Sequence, residues 1–280
     1  MDEYIERVRH LPPAPTVVGQ LLGLLSDPNR NIDRIVEMIG YDPSLTAEVL
    51  KRCNSAFFRG AVPAADIFEA VSRLGFYEVY CVVVSLMAAR TVALAPAKSA
   101  LNPDVLWRHS VTSAVAASAL AVRIQEAEAV AFTAGLLHDV GKLILATVEP
   151  EVYSRLLTQF GVSGPALAGA EAVNLGVTHA DVGARLLARW GLPAQVAIAV
   201  QYHHQSPAAA NPFERLAAIV HLANILAQHA AEDAVPPLDI ATIRPNVLEL
   251  TELEPGDLPA VLDQTRTGLL RVEGLLQLTG

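Results

Sequence analysis

An adjacent histidine and aspartate, His138 and Asp139, form the pair in this chain best suited to chemistry. A neutral imidazole and a carboxylate that are neighbours in sequence can bind the same divalent metal ion. Other helices offer further imidazoles that can reach the pair, at His109, His179, His203 and His204. These candidate ligands all fall between positions 109 and 204, and only His10 precedes them. The clustering predicts a metal site or the remains of one.

The elements that must position these ligands are separate helices. His109 lies near the start of one helix, His179 follows Thr178 at a helix N-terminus, and His203-His204 closes another helix. An interior metal site in a helical bundle takes its ligands in this way. A lone histidine in an Ala/Leu-rich helix is more often a core or surface residue, and we interpret His10, His221 and His229 as structural or solvated. Burying the adjacent His138-Asp139 pair is unfavourable unless the carboxylate is paired or metal-bound, which favours the metal interpretation there.

The composition predicts an all-α protein. Of the 280 residues, 52% are hydrophobic, 18% are charged and only 5% are aromatic. Apolar residues recur at three- and four-residue spacing rather than alternating, which indicates helices. Two prolines interrupt the helical periodicity between 94 and 103, so we place a boundary there. The prediction is a small N-terminal helical bundle, residues 1–95, packed on a larger helical bundle, residues 96–280.

Local signals predict where the helices begin and end. Pro12–Pro15 open a helix that runs to Ser26, and Asp42 and Asp66 serve as N-caps of later ones. The other predicted helices are 32–39, 77–92, 104–124, 127–147, 149–160, 165–174, 179–190, 194–203 and 213–230, with a C-terminal pair at 245–252 and 256–277. The strongly apolar helix at 77–92 is interpreted as core rather than as an interface.

Charge and cysteine usage narrow the function classes. The formal net charge is −9 and no Lys/Arg-rich run occurs, which disfavours direct nucleic-acid binding. Cys53 and Cys81 lack CxxC spacing and are interpreted as buried, reduced thiols. The N-terminus is charged, without the apolar core of a signal peptide, and the apolar runs are shorter than the roughly 20 residues of a membrane span. We therefore expect a cytoplasmic protein without membrane insertion.

The order of the candidate ligands resembles the HD domain of metal-dependent phosphohydrolases, in which a first His, the His-Asp pair and a final Asp hold one metal. Here the first His is His109, and the segment Val220-His-Leu-Ala-Asn224 places Asn224 where the final carboxylate stands. An amide oxygen can coordinate a hard cation but carries no charge, so the affinity should fall. The resemblance implies a divalent metal, without distinguishing Fe, Mn, Mg, Zn and Ni, or no metal if the site is degenerate.

The segments around His179 and His203-His204 are similar to the second-metal ligands of the HD-GYP branch, which hydrolyses cyclic di-GMP. That branch continues its His-His with Glu and a Gly-Tyr-Pro signature, whereas Gln205-Ser206-Pro207 follows here. The departure argues against cyclic-dinucleotide hydrolysis.

A closer resemblance, over nearly the whole chain, is to the HDOD family, the HD-related output domain of bacterial signalling proteins. It rests on a series of motifs in order: Leu11-Pro-Pro-Ala-Pro15, Asp42-Pro-Ser-Leu-Thr46, Asn54-Ser55-Ala56, Ala70-Val-Ser-Arg-Leu-Gly75, Trp107-Arg-His-Ser110, Gly135–Lys142 and Trp190-Gly-Leu-Pro193 before His203-His204. The resemblance implies a stand-alone regulatory module without an established catalytic activity.

Three functions follow as expectations. The first is a non-catalytic signalling module that binds a protein partner. The second is a metal-dependent phosphohydrolase in which Asp139 bridges two metals and Lys142 reaches a substrate phosphate, although an ordinary solvated lysine is the favoured interpretation of Lys142. The third is a sensor that binds a nucleotide without cleaving it.

Overall fold

The structure is a computed structural model that describes residues 2–7, 16–25, 27, 32–54, 63–93, 95, 100–162, 164–230, 243 and 246–276. All regular elements in these ranges are helices, and none of these residues lies in a β-strand. The all-α prediction is confirmed. Buried apolar residues from both halves of the chain, from Val18 to Val261, form one continuous core.

Short helices make up the N-terminal part: α1 (Asp2–Arg7), α2 (Thr16–Leu25), α3 (Ile32–Gly40), α4 (Pro43–Cys53), α5 (Ile67–Leu74) and α6 (Phe76–Val92). Both predicted caps are present. The Asp42 side chain accepts from Leu45 N at 3.1 Å, and Asp66 accepts from Glu69 N at 2.8 Å. The proline-rich start at 12–15 and Ser26 lie outside the described residues.

Helix α6 joins the two parts of the fold. It packs against α2, α4 and α5 on one side and against α7 and α8 on the other. Every residue from Val79 to Ser85 is buried, so the prediction that this segment is core is confirmed. Cys53 and Cys81 are buried free thiols, also as predicted. Half of the segment between α6 and α7 lies outside the described residues, and the exact subdomain boundary stays a prediction.

The larger bundle contains α7 (Pro103–Arg123), α8 (Glu128–Leu137), α9 (Gly141–Val148), α10 (Pro150–Phe160), α11 (Pro165–Leu175), α12 (His179–Arg189), α13 (Ala194–Tyr202), α14 (Glu214–Ala230), α15 (Val247–Leu250) and α16 (Leu258–Leu276). Helix α7 packs against α8, α14 and α16, so the C-terminal helix folds back on the bundle as expected. The proline loop at 234–238 lies outside the described residues.

Two helical stretches of 21 residues, Pro103–Arg123 and Glu128–Val148, are long and apolar enough to cross a membrane by length and composition alone. They are longer than the apolar runs on which the sequence argument relied. In the most apolar 18 residues of each stretch, 67% of the first window and 94% of the second are buried inside the protein. Packing in the core therefore accounts for their apolar character.

The helix predicted over 127–147 is interrupted by a turn at His138-Asp139-Val140, which separates α8 from α9 although His138 and Val140 keep helical dihedral angles. The backbone tightens there into i→i+3 bonds, such as Lys142 N to Asp139 O at 3.0 Å. Directly after the turn, Gly141 lies against α12. A Cβ on Gly141 would lie 2.7 Å from the backbone N of Gly183, so only glycine allows this approach. The turn therefore brings the His-Asp pair close to the first residue of α12.

Candidate metal centre

All predicted ligands meet in one place inside the larger bundle. His138 and Asp139 lie in the turn between α8 and α9, and the others lie on α7, α12, α14 and just after α13. The set is His109, His138, Asp139, His179, His203, His204 and Asn224. Asp139 is 1% exposed and His138, His179 and His203 are fully buried. The sequence spacing thus placed these side chains correctly in one cluster.

Local structure holds the ligands in place. Gly135, one turn before His138, lies so close to α7 that a Cβ would be 2.7 Å from Ser113 O. His179 is the first residue of α12, where Thr178 and Asp181 form a capping box. His203 follows α13, and its backbone O accepts from His221 Nδ1 at 2.8 Å. His221 is therefore a positioning residue, consistent with its structural interpretation.

Asp139 is the centre of the cluster, and its two oxygens face different groups. Oδ2 lies 3.3 Å from His138 Nε2 and 3.7 Å from His109 Nε2. Oδ1 lies 3.3 Å from His179 Nε2 and 4.0 Å from His203 Nε2. We call His109, His138 and Asp139 the His109 group, and His179, His203, His204 and Asp139 the His179 group. Within each group the candidate ligand atoms lie within 4.8 Å of one another.

Hydrogen bonds at Nδ1 determine which ring nitrogen is available to a metal. Nδ1 of His138 lies 2.7 Å from Gly135 O, and Nδ1 of His203 lies 2.6 Å from Val200 O. A carbonyl oxygen only accepts, so each Nδ1 carries a proton and each Nε2 of a neutral ring carries a lone pair. Both Nε2 atoms point toward Asp139, which is the arrangement of metal-binding histidines.

The cluster passes a chemical test for a bound cation. Among the described residues, the buried atoms His138 Nε2, His203 Nε2 and Asp139 Oδ1 have no hydrogen-bond partner. Buried acceptors without a partner are unfavourable, and these three belong to residues in contact with one another around Asp139. A divalent cation in the His179 group would satisfy His203 Nε2 and Asp139 Oδ1. The residues present therefore fit a metal ion, and the buried cluster could hold one.

Lys142 corrects the sequence interpretation of a solvated lysine. Its side chain is 1% exposed, and Nζ donates to Asp139 Oδ2 at 2.6 Å and to Val162 O at 2.7 Å. The i,i+3 spacing from Asp139 places both on one helix face. With its ammonium held by Asp139 Oδ2 and Val162 O, Lys142 does not extend into solvent toward a phosphate.

Glu171 is a site residue that the sequence reasoning missed. This fully buried carboxylate on α11 accepts from His179 Nδ1 at 2.6 Å and from His179 N at 2.7 Å. Its other oxygen accepts from Tyr153 OH at 2.8 Å. A carboxylate behind a ligating histidine fixes the ring orientation and raises its basicity. The sequence signal that could have identified Glu171 is an acidic residue inside the apolar helix 165–174, eight positions before His179.

Burial and neighbouring charge perturb the pKa values of the cluster. Burial, assisted by His138, lowers the pKa of His109 to about 3. Burial and the neighbouring histidines also lower the pKa of His203 and His204 well below the usual range. Burial opposes ionisation of Asp139, but His138 and Lys142 outweigh it and hold the carboxyl pKa well below normal. The cluster therefore offers one carboxylate and several neutral imidazoles at neutral pH.

Asn224 and the remaining histidines occupy distinct positions. Asn224 Oδ1 lies 2.9 Å from His109 Nε2, at the edge of the cluster. His229 bonds through Nδ1 to Ile225 O at 3.0 Å and lies outside the centre. His10 lies outside the described residues.

The chain belongs to the HDOD domain family, whose model matches residues 11–206. The resemblance inferred from the motifs is thereby confirmed, together with membership of the wider HD-like fold.

Solved structures support the fold. The chain is 23% identical to a protein of Shewanella amazonensis SB2B named as a candidate phosphohydrolase, with a TM-score of 0.73 and 98% coverage of both chains. It is 24% identical to an HDOD domain protein of Geobacter sulfurreducens, with a TM-score of 0.69, covering 98% of this chain and 92% of that one.

Two similar proteins are longer than this chain. A Marinobacter aquaeolei VT8 protein named as a candidate signal transduction protein is 26% identical with a TM-score of 0.73, over 95% of this chain and 60% of that one. A Treponema pallidum (strain Nichols) protein is 26% identical over 222 residues, which is 79% of this chain but only 42% of the relative.

Proposed function

We propose that this HDOD protein is a non-catalytic regulatory module that contains an interior metal centre and acts by binding a signalling or regulatory protein. The observation that carries the proposal is the enclosure of a metal-competent cluster. Five of its histidine and aspartate donors are buried, and only His109 is partly exposed, with 14% of its side chain open to solvent. Such a centre can hold an ion but offers a substrate little access.

Access to the cluster argues against hydrolysis. Catalytic metal sites keep an open coordination position in a cleft, and pockets for small molecules typically enclose about 300–1,000 Å³. The cavity beside Asp139 has a volume of about 10 Å³, which is room for one water molecule. Its wall is mostly apolar, with Ala88, Val92, Leu106 and Leu136 among the residues that line it. A nucleotide does not fit there without opening of the bundle.

The comparisons support a regulatory role. The Marinobacter relative, at 26% identity, has a name that places it in signal transduction. Family membership is consistent with this role, since the resemblance to signalling output domains implies a regulatory module. The net charge of −9 disfavours a nucleic-acid partner, and a protein is the partner class that we propose.

Two measurements on the full chain test this proposal. Elemental analysis should find transition metal in the wild type and little in a His138→Ala/Asp139→Ala double variant. A screen of cyclic dinucleotides, nucleotides and a generic phosphodiester with Mg²⁺, Mn²⁺ and Fe²⁺ should find no turnover. Turnover that Asp139→Asn abolishes would overturn the non-catalytic part. The proposed binding of a protein partner has its own test. A protein that co-purifies with the chain should bind it again when both are pure.

Metal-dependent phosphoester hydrolysis is the second candidate. The observation in its favour is that both oxygens of Asp139 face a set of imidazoles, as in centres where one carboxylate bridges two metals. The test that separates the candidates is turnover after opening the cavity. A Leu136→Ala variant that hydrolyses a phosphodiester, while Leu136→Ala/Asp139→Asn does not, would favour this second candidate.

A further inference from the structure

We infer that the centre is built for one divalent ion, held by the His179 group, with the Lys142 ammonium standing where a second ion would contact Asp139. The inference rests on the proposed metal site. The inference adds to that proposed site the number of ions, their position and their chemical class.

The two oxygens of Asp139 are not equivalent. Oδ2 accepts the Lys142 Nζ at 2.6 Å, so a positive charge already lies against it. Oδ1 has no hydrogen-bond partner among the described residues and faces His179 and His203. The free lone pairs of Asp139 therefore point to the His179 group.

Lys142 is fixed in this position by the fold. Its Nζ also donates to Val162 O at 2.7 Å, and its side chain is 1% exposed. A buried ammonium is unfavourable without a negative partner, and Asp139 Oδ2 is that partner. A divalent ion bound to Oδ2 would share that oxygen with the ammonium, and the two cations would repel each other in a region of low dielectric. Occupation of the His109 group is thereby disfavoured.

The hydrogen-bond partner of His109 also disfavours an ion in the His109 group. His109 Nε2 lies 2.9 Å from Asn224 Oδ1, and an amide oxygen only accepts, so this Nε2 donates a proton and presents no lone pair. Asn224 also brings no charge to offset a cation. The His109 group is left with His138 and an oxygen already neutralised by Lys142.

The His179 group has the spacing of ligands on a single ion. Bonds of 2.0–2.1 Å in a tetrahedral site place neighbouring ligand atoms about 3.3 Å apart. His204 Nε2 lies 3.1 Å from His179 Nε2, which lies 3.3 Å from Asp139 Oδ1. His203 Nε2 completes the set at 4.0 Å from Oδ1. Three imidazoles and one carboxylate suit a borderline transition metal such as zinc, nickel or iron rather than magnesium or calcium.

The test counts ions in the full-length protein. The chain is stripped with chelator, reloaded with excess Zn²⁺, dialysed and analysed for zinc per chain by mass spectrometry. We expect one zinc per chain in the wild type and in His109→Ala, and an affinity at least tenfold lower in His203→Ala. Cobalt loading gives a second readout, because a four-coordinate Co²⁺ ion shows intense visible bands. These bands should persist in His109→Ala and be lost in His203→Ala.

A matched pair of variants tests the role of Lys142. Asn224→Asp restores a carboxylate with little change of shape, and Lys142→Met removes the ammonium while keeping an apolar stem. The Asn224→Asp/Lys142→Met double variant should bind two ions per chain. A cooperative thermal melt of each variant checks that it is folded. Two ions in the wild type, or equal loss of zinc in His109→Ala and His203→Ala, would overturn this inference and leave the proposed metal site intact. No zinc in a folded wild type would refute the metal site itself.

Discussion

Gly141→Ala should disrupt the centre without altering any ligand. Gly141 begins α9 directly against the first turn of α12. A Cβ at this position would lie 2.7 Å from Gly183 N and 2.8 Å from His179 C, where normal contacts start near 3.4 Å. These are backbone atoms, which cannot turn aside as the end of a flexible side chain can. Helices α9 and α12 must therefore separate, and Asp139 and His179 would move apart with them.

The size of the effect follows from the overlap. Inserting a methyl group into a packed core typically costs 1–3 kcal/mol, and an overlap of about 0.6 Å or more with three backbone atoms, His179 O, Gly183 N and His179 C, belongs at the upper end, about 3 kcal/mol. Gly169→Ala is the matched control. Gly169 lies within α11 with no atom within 4 Å of its Cβ position, so alanine should stabilise the protein by about 0.5–1 kcal/mol. The two substitutions should differ by about 4 kcal/mol.

Urea unfolding followed by circular dichroism measures both effects through the shift in midpoint at constant slope. Metal content of the same samples should fall for Gly141→Ala and stay unchanged for Gly169→Ala. If Gly141→Ala unfolds at the wild-type midpoint and retains full metal, the close approach of α9 and α12 is not what forms the turn at 138–140, and the explanation given for that turn is wrong.

Three further predictions concern the polar residues around the candidate ligands, the protonation of His109 and the removal of metal. Glu171→Gln should weaken zinc binding 10–100-fold by removing the carboxylate behind His179, whereas Tyr153→Phe should change it less than threefold; titration calorimetry compares them. The metal-free protein should lose stability as pH falls below 6.5, because His109 stays neutral when folded (pKa about 3) but is protonated when unfolded. At pH 5 the loss from His109 alone is about 2 kcal/mol, and the lowered pKa values of His203 and His204 act in the same direction. Flat urea midpoints between pH 7 and 5 would contradict this. Chelator should lower the melting temperature of the wild type and leave that of His203→Ala unchanged, as calorimetry can show.

Helix class and the set of candidate ligands could be read from the sequence because they depend on local pattern, and the role of these residues as metal ligands stays a prediction. Apolar spacing of three and four residues is repeated many times along the chain and does not depend on distant contacts. The ligands were found because His and Asp next to each other are chemically unusual in an apolar helix. Proximity of His109, His179 and His203 followed from assigning each to a separate helix of one bundle, which the structure has.

The turn at 138–140, Lys142 and Glu171 were missed for one shared reason. Each depends on a contact with a part of the chain that local pattern does not reveal. The turn arises where Gly141 meets α12, and apolar residues precede and follow it at helical spacing. Glu171 is buried only because His179 and Tyr153 bond to it. Lys142 looked solvated, yet its i,i+3 spacing from Asp139 was a visible indication of the ion pair.

The charges inside the centre explain how the fold can tolerate both the presence and the absence of a metal. Asp139 is paired with Lys142, and Glu171 is paired with His179. Burial lowers the pKa of His179, but the neighbouring carboxylates of Glu171 and Asp139 outweigh it, and the pKa is raised. Two buried carboxylates face two cations when His179 is protonated, and the metal-free centre is then neutral. A metal at Nε2 of His179 must displace that proton while Nδ1 stays bonded to Glu171. Metal binding should therefore release a proton, which calorimetry in buffers of different ionisation enthalpy measures directly. Zero release would show that His179 is already neutral, and the charge balance proposed for the metal-free centre would be incorrect.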